Sequence, residues 1–166
     1  MKLQIENRKT IEKIAQNSFL PGVAVISICD SDCEFAKLIY KPDSLLCVRF
    51  DDIGEDIYED ILGRNPTPQE RRAIEEKYHM ITDRIASEIA EFYFHVKEKA
   101  KTLICQCEHG ESRSAAVAAA IAEFEKHNGL QYFIDEKYCP NKLVFRKVFA
   151  ALKKEQKKAA SEICGG

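Results

Sequence analysis

Cys107-Glu108-His109-Gly110-Glu111-Ser112-Arg113-Ser114 sets a thiol six positions before a guanidinium, with a glycine between them. Upstream, Lys101 to Gln106 reads as a short buried strand, and downstream an alanine-rich run from Ser112 to Glu125 reads as a helix. The intervening residues are therefore a strand-to-helix loop. Its N–H groups can converge on one anion, the positive end of the helix dipole adds to them, and an arginine can grip two oxygens of a phosphate in fork geometry. The same field favours a thiolate at the helix N-terminus, which makes Cys107 a candidate nucleophile. Phosphoryl chemistry is the use to which these residue types, in this order, are suited.

Such a loop needs a sheet to aim it. Apolar strand-like runs at 2 to 5, 23 to 29, 45 to 50 and 102 to 106 alternate with helical periodicity. That alternation predicts an α/β fold, with a central, mostly parallel sheet of four to five strands flanked by helices. A helix near 8 to 16 carries Ile11, Ile14 and Ala15 on one face. Another is expected from an Asp30 or Ser31 cap through Phe35, Leu38 and Ile39, stopping before Pro42. From Pro68 to Lys99, Ile74, Tyr78, Ile81, Ile85, Ile89, Phe92 and Val96 recur at three- and four-residue steps and predict one long helix. Thr67, Pro68 and Glu70 supply its start. Ala115 to Ile121 is so poor in polar groups that its helix must be buried nearly all round, and 141 to 158 forms a last helix.

Composition sets limits. The 166 residues, 45% apolar and 31% charged, suit a soluble globular protein, and no repeat or linker divides them. One domain over 1–166 is expected, with about 156–166 as a frayed tail. A net charge of −2 gives no general attraction to nucleic acid or membranes. The start, Met1 to Asn7, has no signal-peptide apolar run, and nothing approaches transmembrane length, so the cytoplasm is the expected compartment. The lysine-rich stretch from Lys153 to Lys158 reads as a solvated helix end, and Cys164-Gly165-Gly166 falls one residue short of a prenylation box. Seven cysteines, an odd number without a signal peptide, argue for reduced thiols. Cys105 and Cys107 are too close in sequence for the usual zinc pair, and a second pair or neighbouring histidines are missing, so no metal is expected.

The Cys107-to-Ser114 segment resembles the Cys-x5-Arg-Ser/Thr loop of the protein tyrosine phosphatase superfamily, in particular its small dual-specificity-like branch. The resemblance extends to Leu46-Cys47-Val48-Arg49-Phe50-Asp51-Asp52, similar to the strand and acid loop of that family. It extends also to Pro140-Asn141-Lys142-Leu143-Val144-Phe145-Arg146, similar to the start of its C-terminal helix. The resemblance implies a phosphatase-like fold and a cysteine-dependent phosphomonoester hydrolase without cofactor, acting on a phosphorylated protein or a small phosphomonoester. It implies Cys107 as nucleophile, Arg113 as phosphate clamp, and Glu108, His109, Gly110, Glu111, Ser112 and Ser114 as the substrate-binding loop. Ser114 would hydrogen-bond the sulfur.

The family's general acid is an aspartate after a strand, upstream of the nucleophile. Asp52 is favoured here, two residues past the alternating Leu46, Val48 and Phe50, with Asp51 as the alternative. On charge alone both would read as an acidic surface loop with Glu55, Asp56, Glu59 and Asp60. Ile53 to Asn65, with Gly54 and Gly63, is longer than in compact members of the family and is expected to be a mobile flap carrying the acid. Gln106 stands where the family commonly has histidine, and Glu108 with Glu111 makes the loop's outward side chains acidic, which would repel a polyphosphorylated lipid. A second cysteine protecting Cys107 by a disulfide is a further possibility that the resemblance brings. The alternative to an enzyme is a phosphate-binding pseudophosphatase module that recognises phosphorylated partners without useful turnover.

Overall fold

The computed structural model describes residues 1–164, with side chains described through residue 161. Four strands, β1 (Lys2–Asn7), β2 (Val23–Cys29), β3 (Ser44–Arg49) and β4 (Thr102–Cys107), form an all-parallel sheet in the order β1-β4-β2-β3. The two central strands, β2 and β4, are the apolar runs that parallel sheets require, buried along almost their whole length. Period-two alternation gives the sheet two faces. Ala24, Ile26, Ile28, Leu103, Cys105 and Cys107 enter the larger core. Val23, Val25 and Ile104 enter a smaller one, closed by Ile11 and Ala15 at α1 (Arg8–Ile14) and by Ala36 and Leu38. On the larger side lie α2 (Asp56–Leu62), α3 (Pro68–Lys77), α4 (Asp83–Val96), α5 (Arg113–Lys126), the short α6 (Gln131–Ile134) and α7 (Lys142–Cys164). α5 is wedged between α7 and the β1–β4 pair, and every residue from Arg113 to Ala122 is buried. Its alanines let two layers approach it closely. β2, β3 and β4 all release their chains at one edge of the sheet, the carboxyl edge where α/β folds collect ligands.

Four expectations are corrected. The helix from 30 or 31 to 41 is absent, and the segment is a turn followed by chain without regular secondary structure. Its carbonyls have other partners: Arg49 Nη1 donates to those of Asp30 and Cys33, and the Cys29 thiol also donates to that of Cys33. Ala36 and Leu38 are buried while Lys37 is exposed, a strand-like alternation. The single helix from 68 to 99 is two helices. α3 ends in a Schellman motif, with Met80 N–H donating to the Glu75 carbonyl and His79 N–H to that of Glu76. His79 takes the left-handed conformation at φ 50° that this motif demands. Thr82 then caps α4 by accepting from Ile85 N–H. The start of α3 is the expected capping box of Thr67 and Glu70.

The expected flap is instead largely α2, fastened by Tyr58, which is 5% exposed and donates to the buried Glu75 at 2.9 Å. The last helix continues past residue 158 to Cys164, over part of the segment expected to be a frayed tail. The side chain of Cys164 and residues 165–166 lie outside the described residues, and with them the C-terminal Cys-Gly-Gly motif.

Glu75 sits at the junction of α2, α3, α4 and α7. Lys147 Nζ lies 3.0 Å from its carboxylate and 2.6 Å from Asp83, whose carboxyl is held below its usual range by the Lys147 hydrogen bond. Burial, then the Glu75 hydrogen bond, push the Tyr58 hydroxyl far above its ordinary range, so it remains a donor. Removing the cation would leave Glu75, 3% exposed, with an uncompensated charge. Lys147→Met is therefore expected to lower the unfolding free energy by about 3 kcal/mol, read as a shift of the denaturant midpoint. A change under about 0.5 kcal/mol, the range of ordinary surface substitutions, would show that this network does not hold α2 and α3 in place.

Candidate active site

β4 ends at Cys107 and α5 begins at Arg113, so the strand-loop-helix junction lies where expected. Gly110 turns the loop at φ 75°, and a Cβ there would meet Asn7 N at 2.9 Å and Glu6 C at 3.0 Å. The loop is thus pressed against the end of β1, where only glycine fits. Among the described residues, none of the backbone N–H groups from Glu108 to Arg113 donates to a protein acceptor. Ser112, at the N-cap of α5, makes no side-chain cap, and its hydroxyl donates to Asp52 Oδ1 at 2.8 Å. The helix N-terminus is left to bind an anion.

The Cys107 thiol is 2% exposed and lies 3.0 Å from Ser114 Oγ. The buried Gln106 holds the loop's entrance, accepting from Ser27 Oγ at 2.7 Å and donating to the Cys107 carbonyl at 2.8 Å. An uncharged amide therefore serves as a structural brace. Two residues back, burial pushes the Cys105 thiol up to about 12, with Cys107 adding to the effect. The six cysteines whose side chains are described are all free thiols.

Arg113 is 3% exposed, and its contacts divide the guanidinium into two edges. Nη1 donates to the Phe50 carbonyl at 2.8 Å and lies 2.9 Å from Asp30 Oδ1, while Nη2 donates to Asp30 Oδ2 at 3.2 Å. A guanidinium has five N–H bonds, so these three contacts leave the Nε–H and one Nη2–H, side by side on the lateral edge. Nε is buried and has no partner. A buried donor without an acceptor is costly, and a pair of parallel donors matches two oxygens of a phosphate. Asp30 was not visible as a site residue beforehand. It follows the last residue of β2, and β2 pairs directly with β4, which puts it beside the loop.

The two candidate acids have separate surroundings. Asp51 accepts from Ser31 N–H at 2.7 Å and from the Ser31 hydroxyl at 3.0 Å, and its own N–H donates to the His79 carbonyl, fastening the α3–α4 break to the sheet. Asp52 is at the loop, its Oδ1 accepting from both Ser112 and Asn141 Nδ2, the latter at 2.9 Å. It is already held there, contrary to the expectation of a flap that carries it in. Glu108 is held at the loop's edge: its carboxylate is 2.5 Å from Arg8 Nε, and its carbonyl accepts from Arg8 N–H. The loop's exposed side chains are then His109 and Glu111, and the Glu111 carbonyl accepts from Cys139 N–H. Among the described residues no group of three or more His, Cys, Asp or Glu is placed to hold a metal ion, and no helix is long and apolar enough to cross a membrane.

No family model matches the chain, and no curated protein matches it. Among solved structures it is similar to one described as the crystal structure of Tk-PTP in the active form, at 15% identity over 93% of this chain and 92% of that one, with a TM-score of 0.48.

Proposed function

We propose that the chain is a cysteine-dependent phosphomonoester hydrolase of the protein tyrosine or dual-specificity phosphatase type, working through a phosphocysteine. The observation that carries this reading is the Nε of Arg113, buried and without a partner at the start of the helix that follows the Cys107 loop. In the first step the Cys107 thiolate attacks phosphorus in line, the S–P bond forms and the P–O ester bond breaks. Asp52 gives the departing oxygen its proton. In the second step the Asp52 carboxylate takes a proton from water, the water oxygen attacks phosphorus, and the S–P bond breaks to release inorganic phosphate. Ser114, 3.0 Å from the sulfur, donates to the returning thiolate. Arg113 and the loop amides bind the equatorial oxygens through both steps, and because Asp30 and Phe50 fix the arginine beforehand, little reorganisation is needed. A phosphorylated protein or a small phosphomonoester in the cytoplasm is the proposed substrate.

The test is hydrolysis of para-nitrophenyl phosphate by the freshly reduced protein without added metal, with acid quenching to trap a labelled Cys107. Turnover and a trapped phosphoenzyme are expected. Asp52→Asn should slow turnover by about 10²–10⁴-fold. A wild type that binds orthovanadate through Arg113 but never turns over would replace the hydrolase with a phosphate-binding module for phosphorylated partners.

A further inference from the structure

We propose that Asn141 is the positioning residue of the acid: it fixes which oxygen of Asp52 carries the transferable proton, a role that rests on the reading of Asp52 as general acid. Asn141 precedes α7, and all four hydrogen-bonding sites of its side chain are engaged. Oδ1 accepts from Leu143 N–H at 3.0 Å and Val144 N–H at 3.1 Å, capping the helix. Nδ2 donates to Asp52 Oδ1 at 2.9 Å and to the Ile53 carbonyl at 3.2 Å. The amide cannot be turned over, because its oxygen would then face two acceptors and its nitrogen two donors. One side chain therefore clamps the acid loop to a helix 89 residues further along the chain.

Ser112 donates to the same oxygen, Asp52 Oδ1, at 2.8 Å. When the acid carries its proton, an oxygen that already accepts two hydrogen bonds serves as the carbonyl oxygen, which leaves Oδ2 as the oxygen for the transferable proton. The acid is presented in one orientation before substrate arrives. Both donors also strengthen their bonds as Asp52 ionises, when the proton leaves Oδ2 for the ester oxygen. Ser112 belongs to the phosphate loop and Asn141 to the far wall, so the acid is gripped from both sides.

Cap and clamp are separable. Asn141→Ser keeps an N-cap acceptor but is too short to reach Asp52, whereas Asn141→Ala loses both. We would measure melting temperature and kcat/KM for wild type, both variants, Asp52→Asn and the Asp52→Asn/Asn141→Ser double variant. The esters would run from dinitrophenyl through para-nitrophenyl to phenyl phosphate, whose leaving groups need protonation increasingly. The serine variant should melt close to wild type and lose about tenfold more on phenyl than on dinitrophenyl phosphate. It should add little to Asp52→Asn in the double variant, because the two act as a unit. A loss uniform across the esters, or full additivity with Asp52→Asn, or serine restoring the leaving-group dependence along with the melting temperature, would overturn the proposal while leaving the hydrolase reading intact. A wild type without turnover on any ester would overturn the hydrolase reading and this proposal with it. An Asp52→Asn variant with an unchanged leaving-group dependence would remove Asp52 as the acid, and the proposal with it.

Discussion

Replacing Cys107 with serine is expected to lower kcat on phosphomonoesters by on the order of 10⁵-fold, to the level of background hydrolysis, while binding of inorganic phosphate or orthovanadate persists. The two halves of this expectation come from different atoms. A serine hydroxyl is close in size to the thiol and can keep the 3.0 Å relation to Ser114, so the loop's shape and its N–H groups should survive. Arg113 is anchored to Asp30 and to the Phe50 carbonyl, neither of which involves the sulfur. What is lost is the sulfur that the proposed mechanism uses as nucleophile. No neighbour can substitute for it. Cys105 lies on the same strand and faces the same core, but it is fully enclosed and pushed up to about 12, so at neutral pH it remains an unreactive thiol. Titration calorimetry with orthovanadate and stopped assays on the same preparation would read both halves. Retained turnover would remove Cys107 as nucleophile, and loss of anion binding together with turnover would mean that the sulfur organises the loop rather than attacking from it.

How much of this was legible in the sequence depended on whether the determining contacts are local. The strands were, because burying both faces of β2 and β4 leaves continuous apolar runs such as Val23-Ala24-Val25-Ile26-Ser27-Ile28-Cys29. The Thr67–Glu70 capping box was, because all its partners lie within one turn. The break between α3 and α4 was not. Ile74, Tyr78, Ile81 and Ile85 keep helical spacing across it, and the left-handed residue is a histidine rather than the glycine that usually marks such a stop. The signal was there in Thr82, whose hydroxyl caps Ile85 N–H. The segment after β2 misled for a different reason: Asp30 and Ser31 are good caps in isolation, but Arg113 and Asp51 take them, and Arg49 takes the turn's carbonyls. Cys107, Ser112, Arg113 and Ser114 were legible as candidates because they are contiguous in the sequence. Asp30 and Asn141 were invisible as site residues, since their partners lie 83 and 89 positions away and meet them only when the sheet and α7 have assembled.

That dependence on distant partners makes Arg113→Lys the more discriminating substitution, expected to cost on the order of 10³-fold in kcat/KM although the charge is kept. A lysine ammonium is a point charge at the end of a flexible stem. It cannot reach Asp30 and the Phe50 carbonyl on one edge while offering two parallel donors on the other, which is what Arg113 does. If it pairs with Asp30 it withdraws from the phosphate, and if it turns to the phosphate it leaves a carboxylate and a carbonyl unpaired beside the site. Either way the preorganisation is lost. The expected signature is a fall in kcat together with weaker orthovanadate binding, because the fork contacts the anion in both the ground and the transition state. Asp30→Asn supplies the complementary case. It keeps one acceptor for the guanidinium and removes the counter-charge, so it should lower kcat less than Arg113→Lys does. An Arg113→Lys enzyme within a few fold of wild type would show that charge alone suffices, and that the unpartnered Nε edge has no part in holding the substrate.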